Sequence, residues 1–87
     1  MYYIYFIKSI LQNKVYVGYT GNLTKRMEQH NSRQGGKYTR QLAPFKLIYY
    51  EAYRSKADAL RREHNLKLHK KAYGQLKSRI SESLEFK

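Results

Sequence analysis

Two short runs near the start of the chain alternate in the way an extended backbone does. Residues 2–7 (YYIYFI) and 15–19 (VYVGY) are rich in β-branched and aromatic side chains, and their period of two is that of β-strands. Gln12-Asn13 lies between them and supplies a turn. The pattern predicts two paired strands with Tyr5 and Tyr16 near their centres. A turn of even length would place both tyrosines on one face of the sheet.

A helical pattern follows the second strand. Residues 20–22 (TGN) offer a cap, and Leu23 and Met27 are spaced as on one face of a helix. The glycine pair at 35–36, after Asn31 and Ser32, ends the pattern. We therefore predict a first helix of about three turns whose apolar face contacts the sheet.

The second half of the chain continues with one strand and further helices. Residues 33–44 (RQGGKYTRQLAP) are predicted as a basic loop and residues 45–53 (FKLIYYEAY) as a third strand. Ser55 is expected to cap a second helix, which extends to residue 68. A further basic helix, roughly residues 70–80, follows or continues it.

The apolar residues of the second helix suggest which of its faces is buried. Ala57, Leu60 and Leu68 share one side of a helix. That side is expected to pack against the sheet.

The element order predicts the fold class. It is β-β-α-β-α-α with short connections, which favours an α+β domain in which a small three-stranded, largely antiparallel sheet is flanked by helices. The 87 residues are expected to form one domain, with a core at about 2–80 and a frayed C-terminal tail.

Charge adds a partner class to this picture. Eighteen Lys and Arg against six Asp and Glu give a formal net charge of +12, more than solubility requires. Nucleic acid is the expected partner, DNA with RNA not excluded, and an anionic membrane surface is the second reading. The absence of cysteine excludes disulfides and favours a cytoplasmic protein. The apolar start ends at Lys8 and predicts a strand, not a signal or a membrane span.

Two polar side chains of the first helix lie beside its apolar face. Arg26 and His30 are one turn apart and project next to Leu23 and Met27. One reading is an arginine whose stem covers the core together with a hydrogen-bonded core histidine. The other reading is a functional pair.

The second helix carries a carboxylate among apolar neighbours. Glu63 has Ala59, Leu60, Leu66 and Lys67 three or four positions away, which places it at the margin of the core. A salt bridge with Lys67, or a pairing with a flanking arginine, is one explanation. The other is a ligand for a hard cation such as Mg²⁺, which can be held by one carboxylate together with substrate phosphate.

Basic residues that could follow a phosphate backbone fall in the 33–44 loop and in the helical C-terminal half. The loop also carries an aromatic residue, which suits contact with a backbone or an unstacked base, although a solvated loop explains it equally well. The candidate nucleic-acid-binding residues are Lys37, Tyr38, Arg40, Arg61, Arg62, Lys67, Lys70 and Lys71.

These residues together resemble a known family. Tyr3-Ile4-Tyr5 followed by Tyr16-Val17-Gly18, then Arg26, His30 and Glu63, is similar to the pattern of the GIY-YIG nuclease superfamily. The continuation from His30 to Glu63 resembles its small stand-alone bacterial members, and the resemblance covers nearly the whole chain. It implies the GIY-YIG fold and a metal-dependent endonuclease that hydrolyses phosphodiester bonds in DNA, in repair, recombination or turnover.

The resemblance also implies a role for each catalytic candidate. Glu63 would hold Mg²⁺ or Mn²⁺, and Arg26 would stabilise the phosphate in the transition state. Tyr5 and Tyr16 would position and deprotonate a water, with His30 assisting. A free tyrosine has a pKa of about 10, so a tyrosine that acts as base near neutrality needs a nearby cation. Tyr5 is the expected base.

Two other readings of the function stay open at this point. A catalytically inactive nucleic-acid-binding module on the same scaffold would keep the charge and the fold without cleavage. Association with a membrane surface would need a strongly apolar helix face that the sequence does not show. The pattern does not predict the oligomeric state, or whether a second protein delivers the domain to its target.

Overall fold

A three-stranded sheet forms the centre of the computed structural model, which describes residues 1–12, 14–32 and 44–84. Strand β1 (Tyr2–Ser9) lies in the middle, between β2 (Val15–Thr20) and β3 (Phe45–Tyr53). Both pairings are antiparallel, and the second contains a β-bulge opposite the Phe6/Ile7 step. The α+β class and the three-stranded antiparallel sheet are confirmed. Asn13 of the predicted turn and the 33–43 part of the predicted loop lie outside the described residues.

Helices cover both faces of the sheet. Alternate residues of β1 point to opposite faces, so Ile4 and Phe6 face one layer while Tyr5 and Ile7 face the other. The first face packs on α2 (Lys56–Leu68) and α3 (Lys70–Arg79), and the second face packs on α1 (Leu23–Asn31). The first core cluster is Ile4, Phe6, Ala59, Leu66 and Leu76. The second is Tyr5, Ile7 and Phe45, joined by Tyr16, Leu23 and Met27.

Side-chain caps start the first two helices where the sequence predicts them. The side chain of Asn22 accepts a hydrogen bond from the backbone N–H of Lys25 at 3.0 Å, and Ser55 Oγ accepts one from that of Asp58 at 3.3 Å. Each bond satisfies a backbone donor that has no partner within the helix. The caps therefore fix where α1 and α2 begin.

The predicted buried face of α2 is wrong. Leu60 and Leu68 are 40% and 62% exposed, and the buried residues are Ala59 and Leu66. Apolar residues occur on both sides of α2, so their spacing alone does not identify the inner side. In the structure the Ala59–Leu66 stripe packs on the sheet, and Arg62 of the same helix binds Glu51 of β3.

The C-terminal region contains one element more than predicted. The third helix is confirmed as α3, and a short α4 (Ser81–Leu84) follows it. Lys8 Nζ donates a hydrogen bond to the Leu84 carbonyl at 2.6 Å, which ties α4 to the central strand. Residues 85–87, where fraying is expected, lie outside the described residues. Within the described ranges no helix is long and apolar enough to cross a membrane.

Candidate active site

Tyr5 occupies the middle of the central strand, with its ring lying across a glycine. Gly18 of β2 is its direct cross-strand neighbour. A Cβ built on Gly18 would clash with Tyr5 Oη and Cζ and would lie 2.9 Å from Cε1. Only a residue without a side chain lets the phenol lie flat over β2 at this point.

Two side chains of α1 meet the Tyr5 hydroxyl. Arg26 Nε donates a hydrogen bond to Tyr5 Oη at 3.1 Å, and His30 Nε2 lies 3.0 Å from the same oxygen. Arg26 and His30 are one turn apart, so both reach the sheet from the same side of the helix. The sequence left two readings of this pair open, and the structure places both residues on one phenol oxygen.

His30 is buried and neutral near pH 7. The side chain is 3% exposed, and burial, followed by the positive charge of Arg26, lowers its pKa below 6.5. Its Nδ1 is buried and has no hydrogen-bond partner within the described part of the chain. Nε2, which faces Tyr5, is therefore the nitrogen through which His30 makes its polar contact.

A cavity of about 320 Å³ opens beside this group. Tyr16 lies in its wall on the same face of the sheet as Tyr5, because Tyr16 pairs with Ile7 and Gly18 with Tyr5. Glu63 enters from α2 across the edge of β2. All five residues that the sequence predicts as catalytic line this one cavity: Tyr5, Tyr16, Arg26, His30 and Glu63.

Glu63 makes the contact that the simpler reading of the sequence expects, and it also faces the cavity. Lys67 Nζ lies 3.1 Å from Glu63 Oε2, with the lysine side chain 53% exposed and the carboxylate 20% exposed. The two residues are one helical turn apart, and their ion pair is accessible to solvent, so it stabilises the fold only slightly. A cation that approaches Glu63 would replace a weakly held lysine.

The side chains of the cavity suit a hard cation that takes few of its ligands from the protein. The cavity wall supplies one carboxylate, Glu63, and the described residues hold no group of three or more His, Cys, Asp or Glu side chains that could enclose a metal. Mg²⁺ and Mn²⁺ accept carboxylate oxygen, and Mg²⁺ commonly keeps several waters and completes its shell with substrate phosphate. Glu63 is thus a suitable single ligand for such an ion.

A comparison with known families agrees with this geometry. The model of the GIY-YIG catalytic domain matches residues 1–77. The chain belongs to the GIY-YIG family. Membership implies nuclease-like activity on a nucleic acid substrate.

The relatives of this GIY-YIG domain are UPF0213 proteins, small single-domain bacterial members of the family. One from Staphylococcus haemolyticus is 41% identical over 66 residues, which are 76% of this chain and 79% of that protein. One from Clostridium perfringens is 42% identical over 67 residues, 77% of this chain and 71% of that protein. The solution NMR structure of a UPF0213 protein from Bacillus halodurans covers 90% of this chain and 84% of its own, with a TM-score of 0.54 and 36% identity.

The predicted nucleic-acid-binding residues of this GIY-YIG domain are spread over several places. Lys67 lies at the rim of the cavity, and Lys71 is exposed on α3. Arg61 is exposed and pairs with Asp58 at 3.1 Å. Outside the described residues are Lys37, Tyr38, Arg40 and the side chain of Lys70.

Arg62, which is also predicted to bind nucleic acid, makes its hydrogen bonds to another residue of the protein. Its Nε and Nη2 donate to the two oxygens of Glu51 at 2.9 and 3.1 Å. The same carboxylate accepts from the hydroxyls of Tyr49 at 3.0 Å and Tyr53 at 2.7 Å. Arg62 therefore has fewer N–H donors left for phosphate than its exposed neighbour Arg61.

Glu51 is not among the residues predicted from the sequence, although the strand pattern contains a signal for it. Tyr49, Glu51 and Tyr53 occupy alternate positions of β3 and so point to one face of the sheet. Burial would raise the pKa of Glu51, but hydrogen bonds from Arg62, Tyr53 and Tyr49 outweigh it and hold that pKa below its usual value. A charged residue between two aromatic ones on a core-facing strand predicts a buried partner of opposite charge.

Gly18→Ala is expected to lower the free energy of unfolding of this GIY-YIG domain by about 2 kcal/mol, because the new methyl group drives the Tyr5 ring out of place. Gly21→Ala is the matched control, since a Cβ there meets no atom of the described chain within 4 Å. Chemical denaturation of the two variants measures the difference. Equal stability of both would contradict the close approach of Tyr5 to Gly18.

Proposed function

We propose that this chain is a metal-dependent endonuclease that hydrolyses phosphodiester bonds in DNA, acting in repair, recombination or turnover. The observation that carries the proposal is the convergence of Arg26 Nε and His30 Nε2 on Tyr5 Oη, at 3.1 and 3.0 Å. This group forms one wall of a cavity that also contains a carboxylate. Hydrolysis needs a base for water, positive charge on the phosphate oxygens and help for the leaving group, and the cavity has residues suited to each.

Tyr5 is the proposed general base. A neutral imidazole has one N–H and one acceptor nitrogen, and when Nε2 is the acceptor the Tyr5 hydroxyl donates to His30. Tyr5 can then take a proton from water while its own proton passes to His30. His30 gives that proton back to Tyr5 once Tyr5 has released the water-derived proton to solvent, and the leaving oxygen takes its proton from solvent. Negative charge that develops on Tyr5 Oη faces the N–H of Arg26, and a charge-assisted hydrogen bond of this kind is strong.

Arg26 is the proposed phosphate ligand. A guanidinium has five N–H donors, and two bonds hold it here, Nε to Tyr5 at 3.1 Å and Nη1 to Gln29 Oε1 at 3.3 Å. The planar fork therefore keeps donors for phosphate oxygens while its orientation is fixed by α1 and β1. Preorganised donors of this kind stabilise charge in the transition state without being rearranged.

Glu63 would hold Mg²⁺ or Mn²⁺, and Tyr16 would help to position the water. The ion, when bound, supplies a positive charge for the leaving oxygen. Tyr16 is held edge-to-face on Phe45, with ring centres 5.8 Å apart, so its hydroxyl end is oriented within the cavity wall.

Glu63→Ala is expected to lower the cleavage rate at least about a hundredfold. DNA binding should be kept, because removal of an acid adds to the positive charge of the chain. The measurement is incubation of end-labelled duplex, single-stranded and branched DNA, with a matching RNA, in Mg²⁺, in Mn²⁺ and in EDTA. Glu28→Ala is the matched control, since it removes an exposed carboxylate from α1 outside the catalytic cavity.

Three results of this experiment would change the proposal. Cleavage that persists in Glu63→Ala would contradict the role of Glu63. Cleavage that persists in EDTA would contradict metal dependence. Intact nucleic acid in every metal, with salt-sensitive binding, would favour the second candidate, a catalytically inactive nucleic-acid-binding module, which the net charge of +12 also supports.

A further inference from the structure

A second and larger cavity, of about 680 Å³, adjoins the catalytic one. It lies between edge strand β2 and helices α2 and α3. The two cavities share Tyr16, Val17 and Lys67 in their walls, so they meet at the outer edge of β2. A chain-like ligand that extended from the catalytic cavity over this edge would reach the second one.

The walls of this second cavity, called the groove from here on, differ in chemistry. Val15 and Val17, both half-buried, make one apolar side, and Leu66, which is also in the wall, is almost fully buried. Two lysines, Lys67 and Lys77, lie in its wall as well, both exposed to solvent. An apolar surface with two ammonium groups is complementary to a nucleic acid strand, which presents sugar and base surfaces next to phosphates.

Gly74, in the middle of α3, is the residue that the fold does not explain. Glycine in a helix interior is less favourable than alanine, and a Cβ built on Gly74 meets no atom of the described chain within 4 Å. Packing within the described residues therefore does not require glycine. Its effect is to keep the α3 wall of the groove open beside Tyr73, whose ring is held by Phe6 at 6.2 Å and by Lys77 Nζ at 5.3 Å.

We propose that this groove is a substrate subsite that binds the nucleic acid strand next to the phosphate to be cleaved. Phosphates bind Lys67 and Lys77, and sugar and base edges contact the apolar side formed by Val15 and Val17. Gly74 leaves room for the strand against α3. The subsite rests on the proposed function, because it extends the same catalytic cavity, and it gives Lys77 and Gly74 a role in holding substrate.

The test compares the same substitution at two neighbouring positions of α3. Gly74→Leu fills the groove, whereas Gln75→Leu adds an equal apolar side chain at an exposed position outside it. The probe is a short fluorescein-labelled DNA oligonucleotide, as single strand and as duplex, titrated in EDTA so that binding is read without cleavage. Gly74→Leu is expected to raise the dissociation constant about tenfold with an unchanged or higher melting temperature, and Gln75→Leu is expected to bind as the unmodified chain does.

Lys77→Gln is a second variant for the case in which Gly74→Leu fails to fold. The variant should weaken binding. It should also lower the slope of log Kd against the logarithm of the salt concentration by about one, because one phosphate contact is lost. Unchanged binding in the folded Gly74→Leu variant, or in Lys77→Gln, overturns the subsite and leaves the catalytic proposal standing. An unmodified chain that binds neither oligonucleotide at low salt overturns the proposed function, and the subsite with it.

Discussion

Arg26→Ala is expected to reduce the rate of phosphodiester cleavage about 10⁴-fold. The substitution removes two contributions at once. The guanidinium no longer meets the charge that builds up on the phosphate oxygens, and Tyr5 Oη loses the N–H that lies 3.1 Å away. Both losses act in the transition state, so the catalytic rate constant should fall while the Michaelis constant changes little.

Lys25→Ala is the matched control for this measurement. Lys25 precedes Arg26 on α1 and carries the same charge, but it is exposed and lies outside the wall of the catalytic cavity. A general loss of positive charge would weaken binding equally in both variants. If Arg26 acts in the reaction itself, Arg26→Ala should cleave slowly and Lys25→Ala at a nearly normal rate. Similar cleavage rates in the two variants would contradict a role of Arg26 in the mechanism.

Arg26→Lys separates the charge from the shape of the side chain. A lysine keeps the positive charge but has neither the planar fork nor an Nε–H placed for Tyr5. We expect partial activity from Arg26→Lys in single-turnover cleavage, between that of the unmodified chain and that of the alanine variant. Full activity would indicate that only charge is needed at this position.

The architecture of this chain is largely readable from local signals. The period-2 pattern of β1 and β2 and the caps at Asn22 and Ser55 each depend on a few neighbouring residues, and the structure reproduces them. The buried side of α2 is less readable, because Ala57, Leu60 and Leu68 on one side and Ala59 and Leu66 on another both have helical spacing, and only the second set is buried. Apolar spacing fits both sides of the helix, which is why it predicts the wrong face for Leu60 and Leu68.

The candidate site is likewise predictable from the sequence in part only. Motif spacing brought Tyr5, Tyr16, Arg26, His30 and Glu63 together as candidates, and the structure places them around one cavity. Spacing could not predict that Arg26 and His30 share a single phenol oxygen, because this depends on how far α1 sits above the sheet. Nor could it predict the second groove, which is formed by three elements distant in sequence.

Arg62→Ala is expected to lower the free energy of unfolding by about 3 kcal/mol. Its partner Glu51 is mostly buried, with 15% of the side chain exposed, and would keep its charge without the guanidinium that balances it. The hydroxyls of Tyr49 and Tyr53 also donate to Glu51, and burial together with that bond raises the pKa of Tyr53 to about 12. For a domain of this size the loss corresponds to a fall of at least roughly 12 °C in Tm.

Arg61→Ala is the matched control, because the two arginines are adjacent but differ in their surroundings. The Arg61 side chain is 69% exposed and its partner Asp58 is 55% exposed, so solvent screens their attraction. The free energy of unfolding of the variant should fall by less than about 0.5 kcal/mol.

The pKa of Glu51 is held below 4.5 by its hydrogen bonds. The stability that Arg62 adds is therefore present above that pH and declines as pH falls through the folded-state pKa. Denaturation of both variants at neutral and acid pH tests the assignment, and equal losses at neutral pH would show that the Glu51–Arg62 contact does not hold α2 on the sheet.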